Sequence, residues 1–321
     1  MPHRLEAQLI RYLTDAHSIE VQALAQLKTA PASAGDPEVA EAFREHLAET
    51  EGHERLVREL LEERGARPSR LKDSVMSVGG KGFVLFARLQ PDTPGKLLAH
   101  ALSYEALEIA SYALLARVAD RVGAPDVSGI ARQICDEERT MMHRLEACLD
   151  RAADASLETR GGDVKKRLRK YLADAHAIEK QSAELLSRAT GFVDGGLAAL
   201  YESHLAETHE HEQLVEARLQ GLGGDASTLK DAAMRFGATN WAAFFRTHPD
   251  TPAKLTAFAY AFEHLEIGGY EQLRRVADRA GDRDTSELAA RILLDERSAA
   301  NRIAEHFDDV VATTVERLLS S

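Results

Sequence analysis

A chain of 321 residues has room for two ordinary domains or one large one, and 44% hydrophobic with 29% charged residues is the balance of a soluble globular protein. Its 40 basic against 52 acidic residues leave a formal charge of -12, a surface that repels phosphate backbones and anionic lipid, so no nucleic acid and no membrane is expected as a partner. No apolar run approaches the roughly 18–20 residues that span a bilayer, and the opening MPHRLEAQLIRYLTDAH lacks the apolar core of a secretory signal, so the expected location is cytoplasmic.

Apolar or small residues recur at spacings of three and four, the mark of helices with one buried stripe. Helix A carries Leu9, Leu13, Ala16, Glu20, Ala23 and Leu27 on that stripe. After the breaker PASAGDP (31–37), helix B carries Val39, Phe43, His46, Glu49, His53, Leu56 and Leu60. A long connection (66–92) follows, with a short helix predicted around SVMSVGGKGFVLFARL (74–89). Helix C opens at Thr93-Pro94, an N-cap followed by proline, and carries Leu98, Glu105, Glu108, Tyr112 and Leu115. Beyond GAPD (123–126), helix D carries Ile130, Ile134, Glu138, Met141, Leu145 and Cys148. Cys135 and Cys148 both fall in this predicted helix, roughly 20 Å apart along its axis and too far to bridge. Four helices with one long crossover between B and C predict a four-helix bundle of ferritin-like topology.

The chain then repeats itself. YLTDAHSIEVQAL (12–24) returns as YLADAHAIEKQSAEL (171–185), HLAETEGHE (46–54) as HLAETHEHE (204–212), YEALEIASY (104–112) as FEHLEIGGY (262–270), and RVADRVG (117–123) as RVADRAG (275–281). The offset is 159 residues in helix A and 158 afterwards. Such self-similarity predicts a tandem duplication, with domains at 1–154 and 163–321 on either side of ASLETRGGD (155–163).

Carboxylates interrupt the apolar stripes in every helix: Glu20, Glu49, Glu105 with Glu108, and Glu138, repeated as Glu179, Glu207, Glu263 with Glu266, and Glu296. An ionised carboxylate in an apolar core costs several kcal/mol unless it is compensated, and several together repel one another. Two divalent cations would neutralise most of that charge. Carboxylates from all four helices of a bundle are the donor set of dinuclear iron and manganese sites, which predicts one such site per bundle. His53 and His211 are the histidines proposed as ligands, with His46 and His204 the alternatives three residues before the glutamate. Tyr112 and Tyr270 are placed to donate a hydrogen bond to a ligand. Helix D has Met141 and Ala299 where a Glu-x-x-His motif would present its histidine.

With DAHSIEVQAL, HLAETEGH, YEALEIASY and DEER (136–139), each with its counterpart, the chain resembles the YciE/YciF-type ferritin-like proteins of bacteria over nearly its whole length, as two copies of the domain. The resemblance implies a ferritin-like bundle that is often paired in a dimer, a dinuclear metal site and a link to stress responses. The Glu-x-x-Glu of helix C is also similar to the rubrerythrin arrangement. Two fused copies of a dimerising domain predict an all-α pair of tandem bundles packed as an internal pseudo-dimer, with room for further oligomerisation. The expected function is a metal-binding protein that reacts with oxygen or peroxide in oxidative stress or iron handling. The alternatives are a non-catalytic stress-induced structural protein with a degenerate metal site and a di-metal oxygenase acting on a small organic substrate.

Overall fold

Helices account for all regular structure among the described residues, as the three-and-four spacings require. The computed structural model describes residues 2–68, 93–158, 163–224 and 251–320. The short helix expected at 74–89 lies outside them. The first repeat forms α1 (Pro2–Leu27), a 3-10 turn (Ala30–Ser33), α2 (Pro37–Glu63), α3 (Thr93–Val122), α4 (Pro125–Ala147) and α5 (Leu149–Glu158). The second forms α6 (Val164–Ala189), α7 (Gly195–Gly221), α8 (Thr251–Ala280), α9 (Arg283–Glu305) and α10 (Phe307–Ser320). Two compact units result: Met1–Ser156 with Phe307–Ser321, and Leu157–His306. The last helix, α10, therefore groups with the first unit, where it packs on α3.

Local chemistry sets the helix ends. The Asp36 carboxylate accepts from the Glu38 and Val39 amides at 2.8 and 3.2 Å, and Pro37 fills the first position of α2. The turn from α3 to α4 needs a left-handed residue, and Gly123 supplies it at φ 76°, while the Ala124 amide closes back onto the Ala119 carbonyl at 2.9 Å. The predicted helix D is broken at Cys148, which caps α4, so Cys135 lies inside α4 and Cys148 just past its end. Both cysteines are buried and unbridged.

In the first unit α1 packs on α2 and α3, and α4 packs on α2 and α3, giving a ring of four helices. Short links make α1 antiparallel to α2 and α3 antiparallel to α4. Leu27 beside Leu97 and Glu20 bonded by Tyr112 show that α1 also runs against α3. The α2 and α3 helices therefore run the same way, so the end of α2 and the start of α3 lie at opposite ends of the bundle, about 40 Å apart for helices of this size. That up-down-down-up order is the ferritin-like topology. The second unit repeats it, with α6 on α7 and α8, and α9 on α7 and α8. Leu9, Leu13, Leu98, Ile134 and Leu145 are fully buried in the first bundle, and Leu172, Leu273 and Ile292 in the second.

The short α5 serves the first unit by closing the start of α3. The buried Ser156 hydroxyl accepts the Gly95 amide at 2.8 Å, one of the donors that a helix start leaves without an internal partner. Ser156→Ala strands that amide, and the expected cost is about 1–2 kcal/mol, measured as a lower urea midpoint of the first unit with the second unchanged.

Candidate metal centre

Six side chains converge at the middle of the first bundle: Glu20 from α1, His46 and His53 from α2, Glu105 and Glu108 from α3, and Glu138 from α4. All are buried, with Glu20, Glu108 and Glu138 at 0% exposure. They fall into two groups of mutually close ligand atoms, His46 with Glu105, Glu108 and Glu138, and Glu20 with His53 and Glu138. Glu138 belongs to both. Its Oε2 lies 3.4 Å from His46 Nε2 and its Oε1 2.8 Å from His53 Nδ1, so one oxygen faces each group. His46 Nε2 is also 3.3 Å from Glu105 Oε2, and His53 Nδ1 is 3.9 Å from Glu20 Oε1.

The second bundle repeats this with His204, Glu263, Glu266 and Glu296, and with Glu179, His211 and Glu296. His204 Nε2 lies 2.9 Å from Glu263 and 3.5 Å from Glu296, and His211 Nδ1 lies 2.8 Å from Glu296 and 3.8 Å from Glu179. Two histidines seven residues apart are two helical turns apart, so each serves its own group. His46 and His204, the alternatives by spacing, thus lie in the clusters beside His53 and His211.

Glu49 and Glu207 stand elsewhere. Glu49 is a third exposed, and its carboxylate takes His46 Nδ1 at 3.2 Å and Arg144 at 2.9 and 3.1 Å. The hydrogen bond from His46, with Arg144 behind it, holds the Glu49 carboxyl down at about 2. Glu207 meets His204 at 3.0 Å and Arg302 at 3.1 Å in the same way. His53 is oriented from outside by Glu137 at 2.6 Å, and His211 by Asp295 at 3.3 Å. Each histidine thus turns one ring nitrogen to an outer acid and the other into the cluster, the arrangement that fixes tautomer and ring angle at metal sites. Sequence reasoning left Glu137 and Asp295 unassigned. Their position beside Glu138 and Glu296, one residue off the buried face, was the available signal. Tyr112 and Tyr270 donate to Glu20 and Glu179. Among the inner carboxylates, Ser182 also donates to Glu266 at 3.2 Å, where the first repeat has Ala23.

The donor set fits a cation. Glu20 Oε2, Glu105 Oε2, both oxygens of Glu108 and of Glu138, His46 Nε2 and His53 Nδ1 are buried without a hydrogen bond, and the second bundle repeats nearly the whole set. Buried polar atoms left bare cost roughly 1–3 kcal/mol each, more when charged. Without a cation, protons must do the neutralising. Burial and the neighbouring Glu138 push Glu20 up to about 8, and burial raises Glu105 to about 7 and Glu108 well above its usual range. Glu179 and Glu266 follow, again through burial and the charge of Glu296. Burial opposes protonation of His53, but the Glu138 carboxylate 2.8 Å away and the Glu20 charge lift it to about 9.

Glu138 is the exception: burial raises it, but His53 and His46 hold it down, so its contribution is lost only as pH falls below about 4.5. The raised groups share one sign. A carboxyl raised from 4.5 to about 8 binds more protons folded than unfolded, so its contribution is full below about pH 4.5 and is lost as pH rises through about 8. Raised histidines act the same way. The melting temperature of the chelated protein is therefore expected to fall between about pH 4.5 and 8, as read by circular dichroism. A flat or rising profile would contradict this electrostatic picture.

A cavity of about 20 Å³ reaches Glu105 between α1 and α3, lined by Gln26, His100 and Tyr104, and is large enough for one water. The second repeat has Leu185, Phe258 and Phe262 at the matching positions.

The family model described as a domain of unknown function (DUF892) matches residues 4–158 and again 163–316. The chain belongs to this family. DUF892 is the YciF-type ferritin-like family, and its two matches here correspond to the two repeats. A crystal structure of a protein from Xanthomonas campestris pv. campestris is similar to this chain at 28% identity, over 49% of this chain and 98% of the other, with a TM-score of 0.40. No helix among the described residues is long and apolar enough to cross a membrane.

Proposed function

We propose that each unit of this DUF892 protein holds a dinuclear iron or manganese centre that reacts with oxygen or peroxide, in oxidative stress protection or iron handling. The observation that carries this is the convergence of bare buried ligand atoms into two groups that share Glu138, and Glu296 in the second unit. Four carboxylates, Glu20, Glu105, Glu108 and Glu138, balance two divalent cations in charge, and mixed imidazole and carboxylate donors suit iron and manganese. A bound metal pair would supply electron transfer to the oxidant and Lewis acidity toward its oxygen atoms.

The chain's own side chains set the conditions. Glu138 and Glu296, each shared by the two groups of its unit, would hold the metals together with the histidines, and Glu49 and Glu137 keep the His46 and His53 imidazoles oriented. Burial and the adjacent Glu20 hold the Tyr112 phenol protonated, so its hydroxyl remains a donor to Glu20. The water-sized cavity against Glu105, walled mostly by apolar side chains such as Leu27, Phe43 and Leu97, gives a small oxidant room beside the site in the first unit.

The test is anaerobic loading with ferrous iron, metal analysis, and then measurement of oxygen and peroxide consumption. Four metals per chain, two in each unit, with consumption that depends on the metal, supports the proposal. Fewer than one metal per chain overturns it.

A further inference from the structure

The two repeats differ on the outer side of the α3–α4 pair, one side chain away from the metal ligands. In the second unit, the position after Tyr270 is Glu271, only 5% exposed. Its carboxylate is held by Arg297 at 2.6 Å, Arg274 at 3.1 Å and Arg275. The first repeat has Ala113 in place of Glu271 and Ala116 in place of Arg274, but keeps the other two arginines as Arg117 and Arg139. A cavity of about 400 Å³ lies there, lined by Tyr112, Ala113, Ala116, Arg117, Arg139 and Arg132. That volume falls in the range of small-molecule sites, roughly 300–1,000 Å³.

We infer that this cavity binds a small organic carboxylate, whose carboxyl group occupies the place that the Glu271 side chain fills in the second unit. The sister repeat is the internal precedent: the same helix position, the same two arginines and a carboxylate between them. Guanidinium groups pair with carboxylates through fixed, charge-assisted hydrogen bonds, and Arg132, where the second repeat has Ala290, adds a third to the rim. Acids also line the cavity. Asp308 of α10 is 3.1 Å from Arg117, Asp120 is 2.5 Å from Arg132, and Asp136 is 2.6 Å from Arg139. Arg117 also donates to the Ala113 carbonyl at 3.0 Å and Arg132 to the Ser128 hydroxyl. The aspartates are 64%, 46% and 75% exposed, and such surface pairs contribute about 0–1 kcal/mol, so a ligand carboxylate can replace them. Ala113, Ala116 and Tyr112 offer only a small apolar contact, enough for the one or two carbons beside the carboxyl group.

Propionate is the glutamate side chain cut at the Cα–Cβ bond, which makes it the probe. Saturation-transfer NMR on the full, metal-free chain is expected to show propionate binding that sulfate displaces poorly. Arg139→Gln, at a half-exposed position, is expected to weaken binding about tenfold, the effect of one charge-assisted hydrogen bond. Ala113→Glu should abolish it by placing the carboxylate in cis. The reciprocal Glu271→Ala is expected to lower the melting temperature of the second unit, with propionate restoring part of it. The assignment is overturned if the wild-type chain does not bind propionate, if Arg139→Gln binds it as tightly as wild type, or if sulfate displaces it equally well. Arg139→Gln decides the matter even if Ala113→Glu fails to fold.

Discussion

Glu138→Ala combined with Glu296→Ala is expected to lower metal affinity by more than about a hundredfold in both units. Loss of partners that merely orient a ligand costs roughly 10–100-fold, and each of these glutamates is shared by both groups of its bundle. Without Glu138, the first group keeps His46, Glu105 and Glu108, and the second falls to Glu20 and His53 alone. The same substitutions remove one negative charge from the crowd that raises Glu20 and Glu108. The metal-free double variant is nevertheless expected to melt below the metal-free wild type, because His46 and His53 lose a buried carboxylate partner, but by less than the metal-loaded proteins differ. Calorimetric titration with manganese and thermal melts in chelator check the two halves of this expectation. A variant that loses stability equally with and without metal would mean that Glu138 is a packing residue.

Chelation has the second large effect. A ligand that binds only the folded state stabilises it by about 4 kcal/mol when present at a thousand times its dissociation constant. For a unit of this size each kcal/mol moves the melting temperature by roughly 2–4 °C. The metal-loaded protein is thus expected to melt on the order of 10 °C above the chelated one. The gap should widen with pH, since metal binding needs deprotonated ligands while the metal-free cluster is stabilised by protons. Identical melts across the pH range would leave the cluster as a proton-filled core.

Much of this was legible in the sequence, and the residues that were not show where periodicity stops. The offset of 158 residues marked the duplication, and the acids on the stripes of helices A, C and D are the ones found at the centre. Glu49 fits the stripe equally well, yet its carboxylate faces outward because Arg144 waits for it on the adjacent helix, 95 residues away in sequence. Spacing along one helix carries no information about such a partner. His17 shows the converse: it lies off the stripe by spacing but is buried, 3.0 Å from Glu54 of α2. Helix D looked poorest in ligands because it lacks the histidine after Glu138. The fold supplies that imidazole from α2 instead, as His53. The grouping of α10 with the first unit had no signature in local composition.

Anomalous diffraction from crystals of the iron-loaded protein tests the central claim most directly. The account predicts two peaks in each unit, about 3.5–4 Å apart, one on either side of Glu138 and of Glu296. Peaks confined to surface carboxylates, or clusters left without a peak after loading, would contradict it.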